Sequence, residues 1–115
     1  MADKIKRLST AIRLGCVGTE QGFYEIDLVN NKVCALGAAL IVLNSYNSNK
    51  LDTKCKYEYL EKRFPYTSII KDCPERKCIA KDNILNMCCH LNDCHGKTRE
   101  SIANWLEVIE DRMGI

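Results

Sequence analysis

The feature that most constrains this chain is a series of two cysteines and two histidines in its C-terminal half. Four residues separate Cys73 from Cys78, eleven separate Cys78 from His90, and four separate His90 from His95. Thiolate sulfur and imidazole nitrogen are the ligands of tetrahedral zinc, and this order with gaps of this size is typical of structural sites. Two thiolates from a short loop and two imidazoles from a helix end can converge on one ion. The series therefore predicts a structural zinc site, because four protein ligands leave no open position for catalysis.

Neighbouring cysteines leave alternatives open. Cys88, Cys89 and Cys94 lie in the same segment, and Cys94 falls one helical turn beyond His90, so a Cys3His set with Cys94 in place of His95 also fits. Free cysteine is often buried without any special role, so plain packing is a competing interpretation. A third interpretation makes Cys94 a nucleophile beside His95, although adjacent side chains rarely reach the geometry that a thiolate and its base need.

Cysteine usage also bears on the compartment. Eight cysteines in so short a chain would indicate a disulfide framework in a secreted protein. Residues 1–15 carry five charges and no uninterrupted apolar stretch, so they do not resemble the apolar region of a signal peptide. No apolar run has the length of a transmembrane helix. We therefore expect a cytoplasmic protein with reduced thiols and no membrane partner.

Length and composition predict one folded domain. A chain of 115 residues, 46% apolar and 28% charged, has the size and composition of a single globule. We expect one domain, 1–115, of the α+β class and mainly helical. An Asn- and Ser-rich stretch, 44–52, predicts a surface loop that divides a helix–hairpin–helix lobe, 1–46, from a helical zinc-tied lobe, 53–115.

The first lobe combines two helices with a hairpin. The apolar spacing that begins at Leu8 predicts a helix of two turns, with Gly15 as its C-terminal stop. Alternation over Phe23–Val29 predicts a strand, and Asn30-Asn31 suits a two-residue turn into a second strand. A helix that is apolar nearly all round follows at 35–43, where small residues at positions 37 and 38 would allow another element to approach closely.

The second lobe is predicted to carry three helices. Thr53 caps a helix that ends near Arg63, before Pro65, and residues 66–70 run extended. Asp82 caps the helix that carries His90. Thr98 caps the last helix, whose apolar stripe consists of Ile102, Trp105, Leu106, Ile109 and Met113. We expect Trp105 to belong to the core rather than to a binding hot spot.

Charge and aromatic residues between Lys50 and Lys81 raise a second functional hypothesis. This region has nine Lys and Arg residues against five Asp and Glu residues, with aromatic residues between them. Such a composition is typical of nucleic-acid surfaces, although it also fits aromatic residues in a core and lysines on a solvated helix face. The net charge of +2 does not decide between them. The candidate nucleic-acid contacts are Lys54, Lys56, Lys62, Arg63, Arg76 and Lys77.

The segment 90–106 resembles a known motif. It reads HLNDCHGKTRESIANWL and is similar to HLNDxHxWTRExIAxWL, which is found in small uncharacterised proteins of bacteria and their phages. Segments 8–15 and 34–40 also look like parts of that group. Many of its members have a cysteine pair before the histidine motif, so the resemblance implies metal-ligand roles for Cys73, Cys78, His90 and His95. This chain departs from the group at Lys97, where Trp is usual, and in the four-residue gap of its cysteine pair.

These observations lead to one expected function with two alternatives. We expect a non-enzymatic accessory or regulatory protein of phage or mobile-element type, in the host cytoplasm, that binds a protein partner. Zinc would hold the loop 73–78 against the helix carrying His90, because a small core benefits from a staple. The first alternative is a nucleic-acid-binding regulator that uses the basic region 50–81, and the second is a thiol enzyme.

Overall fold

Helices make up most of the structure, with two small sheets between them. The computed structural model describes residues 5–21, 26–27, 32–43 and 53–115, so the predicted loop 44–52 lies outside it. The helices are α1 (Leu8–Cys16), α2 (Ala35–Val42), α3 (Thr53–Arg63), α4 (Ile84–Asp93) and α5 (Arg99–Met113), with a 3₁₀ helix at Pro65–Ser68. The strands are β1 (Glu20–Gln21), β2 (Ile26–Asp27), β3 (Lys32–Val33), β4 (Ile70–Asp72) and β5 (Lys81–Asn83). The predicted α+β, mainly helical class is confirmed.

The predicted N-terminal hairpin is present: β2 pairs antiparallel with β3, and Asp27 lies opposite Lys32. The predicted two-residue turn at Asn30-Asn31 lies outside the described residues. β1 adds a third strand, parallel to β3, which the sequence did not indicate because its two polar residues show no alternation.

Gly15 has a different role from the predicted one. It lies inside α1, which continues to Cys16, and is not a C-terminal stop. A Cβ atom placed on Gly15 would lie 1.9 Å from the backbone oxygen of Ala38 in α2. The two helices therefore touch backbone to backbone at this point. The prediction that a small residue at Ala38 permits close approach is confirmed.

One hydrophobic core joins the two ends of the chain. Its cluster includes Leu8 and Leu40 from the first 43 residues together with Leu60, Leu85 and Leu106 from the second part. α1 packs against both α2 and α5, and α2 packs against α4. Each fully buried aliphatic side chain contributes roughly 1.5–3 kcal/mol relative to its exposed state. α4 and α5, which flank the predicted site, are thus anchored by core packing.

The helix caps agree only in part with the sequence predictions. Thr98 Oγ1 accepts a 3.0 Å hydrogen bond from Ser101 N, which confirms it as the cap of α5. The predicted cap of α4 is wrong, because Asn83 Oδ1 accepts the bond from Asn86 N at 2.8 Å. Asp82 lies one residue earlier in β5, where its carboxylate accepts a bond from Asn86 Nδ2 at 3.1 Å.

A 3₁₀ helix replaces most of the predicted extended segment 66–70, and a second hairpin follows it. Pro65–Ser68 forms a 3₁₀ helix, because Pro65 suits the first helical position and Thr67 donates its hydroxyl to the Phe64 carbonyl at 2.6 Å. β4 starts only at Ile70 and pairs antiparallel with β5. A hydrogen bond of 2.9 Å from Cys73 N to Ala80 O continues the ladder toward the hairpin end. This hairpin carries the predicted cysteine ligands.

Candidate metal centre

The loop that joins β4 to β5 brings the two predicted thiol ligands together. We call residues 73–78 the cysteine loop. Cys73 follows β4 directly, and the chain then reverses in a turn that is closed by a 3.1 Å hydrogen bond from Cys78 N to Glu75 O. Lys77 occupies the left-handed region in this turn, with φ of 70°. The reversal returns Cys78 to the side of Cys73, although four residues separate them in sequence.

The end of α4 brings the two histidines together by a tight turn. His90 lies in the last turn of the helix, and Cys94 N donates to its carbonyl oxygen at 2.9 Å. Gly96 has φ of 60°, a conformation that glycine adopts without strain, and Lys97 N then donates to Leu91 O at 3.0 Å. This turn folds His95 back on His90, so that their ring centroids lie 4.6 Å apart at 82°.

The four predicted ligands converge on one point. One ligand atom from each of Cys73, Cys78, His90 and His95, which we call the Cys2His2 cluster, lies within 4.8 Å of every other. Cys73 Sγ is 3.5 Å from His95 Nε2, Cys78 Sγ is 3.4 Å from His90 Nε2, and the two Nε2 atoms are 3.0 Å apart. Zinc bonds of about 2.3 Å to sulfur and 2.05 Å to nitrogen give tetrahedral S–N and N–N separations of about 3.6 and 3.3 Å. The cluster can therefore hold a metal ion, and its spacing is compatible with zinc.

Burial and charge at the cluster also suit a divalent cation. Cys73 is buried, with 8% of its surface exposed, whereas the other three residues are half-buried. Burial raises the pKa of the Cys73 thiol, and the nearby Cys78 raises it further, while a hydrogen bond from the Glu75 backbone opposes the rise. Two thiolates without a counter-charge would be costly here, but two thiolates and one divalent ion sum to zero charge. The metal would thus favour loss of both thiol protons.

An ion pair beside the cluster ties the two ligand-bearing segments together. Lys97 Nζ lies 2.7 Å from Glu75 Oε1, which joins the histidine turn to the cysteine loop. Gln21 donates its side-chain amide to Lys97 O at 2.7 Å, so β1 supports the same turn. Lys97 therefore has a charged partner within the cysteine loop.

Four of the cysteines outside the cluster have different surroundings. Cys94, the alternative ligand, is exposed at the end of α4 and is not a member of the group that the structure brings together. Cys88 is fully buried, and burial raises the pKa of its thiol strongly. Burial likewise raises the pKa of Cys16 and of Cys34. A raised pKa lowers the thiolate fraction, so it opposes a nucleophilic role for these three residues.

The candidate nucleic-acid residues differ in exposure, and of the aromatic residues near them Tyr59 is exposed whereas Phe64 is not. Lys62, Arg76 and Lys77 are exposed, and Arg63 is half-buried with its guanidinium 5.6 Å from the centre of the Phe64 ring. Phe64 is only 1% exposed and cannot stack on a base. The side chains of the remaining two candidates, Lys54 and Lys56, lie outside the described part of the structure.

Two polar features of the structure were not predicted, although the spacing of one of them along α5 indicates its burial. Glu110 looks like part of a locally acidic helix, yet it is completely buried and bonds to Ser9 and Tyr66. Its position four residues after Leu106 places it on the buried face of α5, and that spacing was the available signal. The Glu75–Lys97 pair joins residues 22 apart in sequence and left no local signal.

The assignment of this site rests on its geometry alone. In the portion of the chain that the structure describes, no helix combines the length and the apolar character needed to cross a membrane.

No protein-family model, curated protein or solved structure matches the chain.

Proposed function

We propose that this protein is a non-enzymatic accessory or regulatory factor that binds a protein partner and is stabilised by one structural zinc ion. The observation that carries the proposal is the convergence of the Cys2His2 cluster, whose ligand atoms all lie within 4.8 Å of one another. All four coordination positions of zinc would come from protein side chains, so none remains for substrate or water. The metal then stabilises a surface and does not perform a reaction.

The zinc ion would hold a hairpin that is too small to be stable alone. β4 and β5 pair over three residues each, and isolated two-stranded hairpins are marginal in water. The cluster joins the end of this hairpin to the turn after α4, which is anchored in the core. In small domains, the free energy of metal binding adds directly to the free energy of folding. Zinc would therefore keep the cysteine loop in place for recognition.

Of the described aromatic residues in the basic region, Tyr59 is exposed, Phe64 is buried, and Tyr66 is half-buried with its hydroxyl bonded to Glu110. Base stacking on successive bases needs several accessible rings, so this arrangement favours a protein partner over a nucleic acid. The resemblance to small proteins of bacteria and phages supports an accessory role of phage or mobile-element type. Because Arg76 and Lys77 are exposed and could contact phosphates, a nucleic-acid-binding regulator is the alternative.

Elemental analysis of the untagged protein tests the zinc proposal. We expect one zinc ion per chain in the wild type. Each of the variants Cys78→Ser, His90→Ala and His95→Ala should lose zinc and at least about 3 kcal/mol of unfolding free energy, because a structural metal contributes to folding outright. Cys94→Ser is the matched control and should keep both zinc and stability, since Cys94 is exposed outside the cluster. A folded wild type without zinc, or zinc loss in Cys94→Ser alone, would contradict the assignment.

A salt titration distinguishes the two classes of partner. Binding of a fluorescein-labelled DNA duplex or RNA hairpin is measured at 50 and 200 mM salt with the zinc-loaded protein. We expect negligible binding at both salt concentrations. Tight binding that weakens about 100-fold or more between them, and that Arg76→Glu reduces, would replace the protein-partner proposal with the nucleic-acid alternative.

A further inference from the structure

A small pocket opens between the cysteine loop and α5. Its volume is about 150 Å³, and its walls include Pro74 from the loop and Trp105 from the helix. Leu91 and Ile102, which are 2% and 1% exposed, also line it. Trp105 is half-buried: it packs against the core cluster, as predicted, and it also lines this pocket.

Charged groups surround this recess unequally. Glu75 and Lys97 line it and neutralise each other through their 2.7 Å ion pair. Arg76 and Lys77, the next two residues of the cysteine loop, are exposed, and no acidic group in the described residues lies within ion-pair distance of them. Arg76 and Lys77 do not line the pocket, but with Glu75 they give the cysteine loop beside it a net positive charge.

We propose that this pocket binds one aromatic or leucine-sized side chain from an acidic segment of the protein partner. This proposal rests on the proposed function, because it identifies the surface through which the protein would bind its partner. A space of about 150 Å³ is large enough for one benzene-sized group, and the buried Leu91 and Ile102 among its lining residues favour an apolar group. Carboxylates on either side of that group would complement Arg76 and Lys77.

The metal cluster and the pocket share the same supporting segments. Pro74 and Glu75 directly follow the ligand Cys73, and Lys97 comes two residues after the ligand His95. Zinc would hold these segments against Trp105 and Ile102, so the pocket requires the metal to keep its shape. This relation gives the structural zinc a role in recognition.

The single tryptophan of the chain provides a direct test. The ¹H–¹⁵N resonance of the Trp105 indole in the zinc-loaded full chain is followed during titration with acetyl-Asp-Glu-Phe-Glu-Asp-amide. We expect a saturable shift with a dissociation constant on the order of 1 mM, as for one buried ring and a few screened charges. Replacing the central Phe of the peptide by Ser, or all four acids by Lys, should weaken binding by about 10-fold or more.

Two protein variants establish where the peptide binds. Ser101 is exposed and lines the pocket, so Ser101→Leu should fill it and abolish binding. Ser68→Leu is the matched control, because Ser68 is exposed on the 3₁₀ helix and does not line the pocket. The control should bind the peptide as the wild type does.

Zinc analysis of the same samples separates this inference from the proposed function. If the chain holds zinc but shows no saturable shift up to about 10 mM peptide, the pocket proposal alone is wrong. Equal affinity for the Ser-containing peptide, or unchanged binding in Ser101→Leu, overturns it as well. A single-stranded oligonucleotide whose binding is lost in Ser101→Leu would also overturn it, in favour of base stacking. Absence of zinc from the folded wild type would instead refute the proposed function.

Discussion

At the scale of single residues, Glu110 shows how a buried carboxylate can complete a distant helix. Arg7, the residue before α1, makes no side-chain capping bond. Ser9 N instead donates to Glu110 Oε2 at 3.3 Å, and Leu8 N donates to the Tyr66 hydroxyl at 2.9 Å. The first N–H groups of a helix have no partner within it, and a negative charge near them is stabilising. Residues from α5 and the 3₁₀ helix therefore provide the cap that the sequence around Arg7 lacks.

Tyr66 makes this cap sensitive to alkaline pH. Burial raises the pKa of its phenol above the ordinary value, and its hydrogen bond to Glu110 raises that pKa further. Because the folded state holds the proton more tightly, this contribution to stability is full below the unfolded pKa of about 10 and is lost as the pH rises above it. We expect Tyr66→Phe to be less stable at pH 7 by about 1–3 kcal/mol, since the Leu8 N–H loses a partner.

The difference between the two proteins should then shrink above pH 10. The expected change is up to about 1.4 kcal/mol per pH unit, reduced by solvent screening of the partly exposed phenol. Urea unfolding with a reductant present, at intervals from pH 7 to 11.5, measures it. The buried Cys88 titrates in both proteins and so cancels in the comparison. A constant difference over the whole range would show that Tyr66 does not make the cap sensitive to pH.

At the scale of secondary-structure elements, the contact between α1 and α2 depends on the absence of a side chain at Gly15. A Cβ at this position would meet backbone atoms of Ala38, which cannot move aside as a flexible side chain can. The helices would have to separate, and the surrounding core residues would lose contacts. The close packing of the two helices is thus a property of the pair and not of either sequence segment.

Gly15→Ala should destabilise the protein by about 3 kcal/mol or more, because overpacking against backbone is relieved only by moving a helix. Gly18→Ala serves as the control. Gly18 has φ of 80°, but no heavy atom lies within 4 Å of the position that a Cβ would take, so this variant should cost only about 1 kcal/mol of conformational strain. Urea denaturation of both variants measures the two effects. Equal costs would mean that the contact with Ala38 is relieved easily.

At the scale of the whole molecule, the helices that flank the Cys2His2 cluster and the N-terminal helices share one core. Arg13 pairs with Glu107, and Arg7 pairs with Asp111 at 2.7 Å. These ion pairs join α1 and the residue before it to α5, the last helix of the chain. Such exposed pairs contribute little, and most of the coupling comes from the shared apolar cluster. A change at the metal centre should therefore alter the stability of α1 and α2.

Chelation of zinc should lower hydrogen-exchange protection throughout this core. We expect amides of α1 and α2 to lose protection together with those of α4, because a small domain with one core unfolds cooperatively. Exchange measured by mass spectrometry with and without EDTA tests this, and Cys94→Ser should respond as the wild type does. Loss of protection confined to residues 70–97 would show that the metal stabilises only its own loop.

The sequence by itself determined the features that depend on residue type and short spacing. The two-Cys, two-His series with Cys94 as its alternative, the apolar helix α2 and the Thr98 cap all follow from the spacing of residue types along the chain or from the chemistry of zinc ligands. These preferences act locally, so they can be recognised before the chain is folded.

Only the tertiary structure decided the features that join distant segments. His95 belongs to the cluster and Cys94 does not, because the turn at Gly96 directs one inward and leaves the other exposed. Gly15 is a packing contact because Ala38 lies against it, and Glu110 is buried because Ser9 and Tyr66 satisfy its oxygens. In each case the role of a residue depends on a partner that packing, and not sequence proximity, brings within bonding distance.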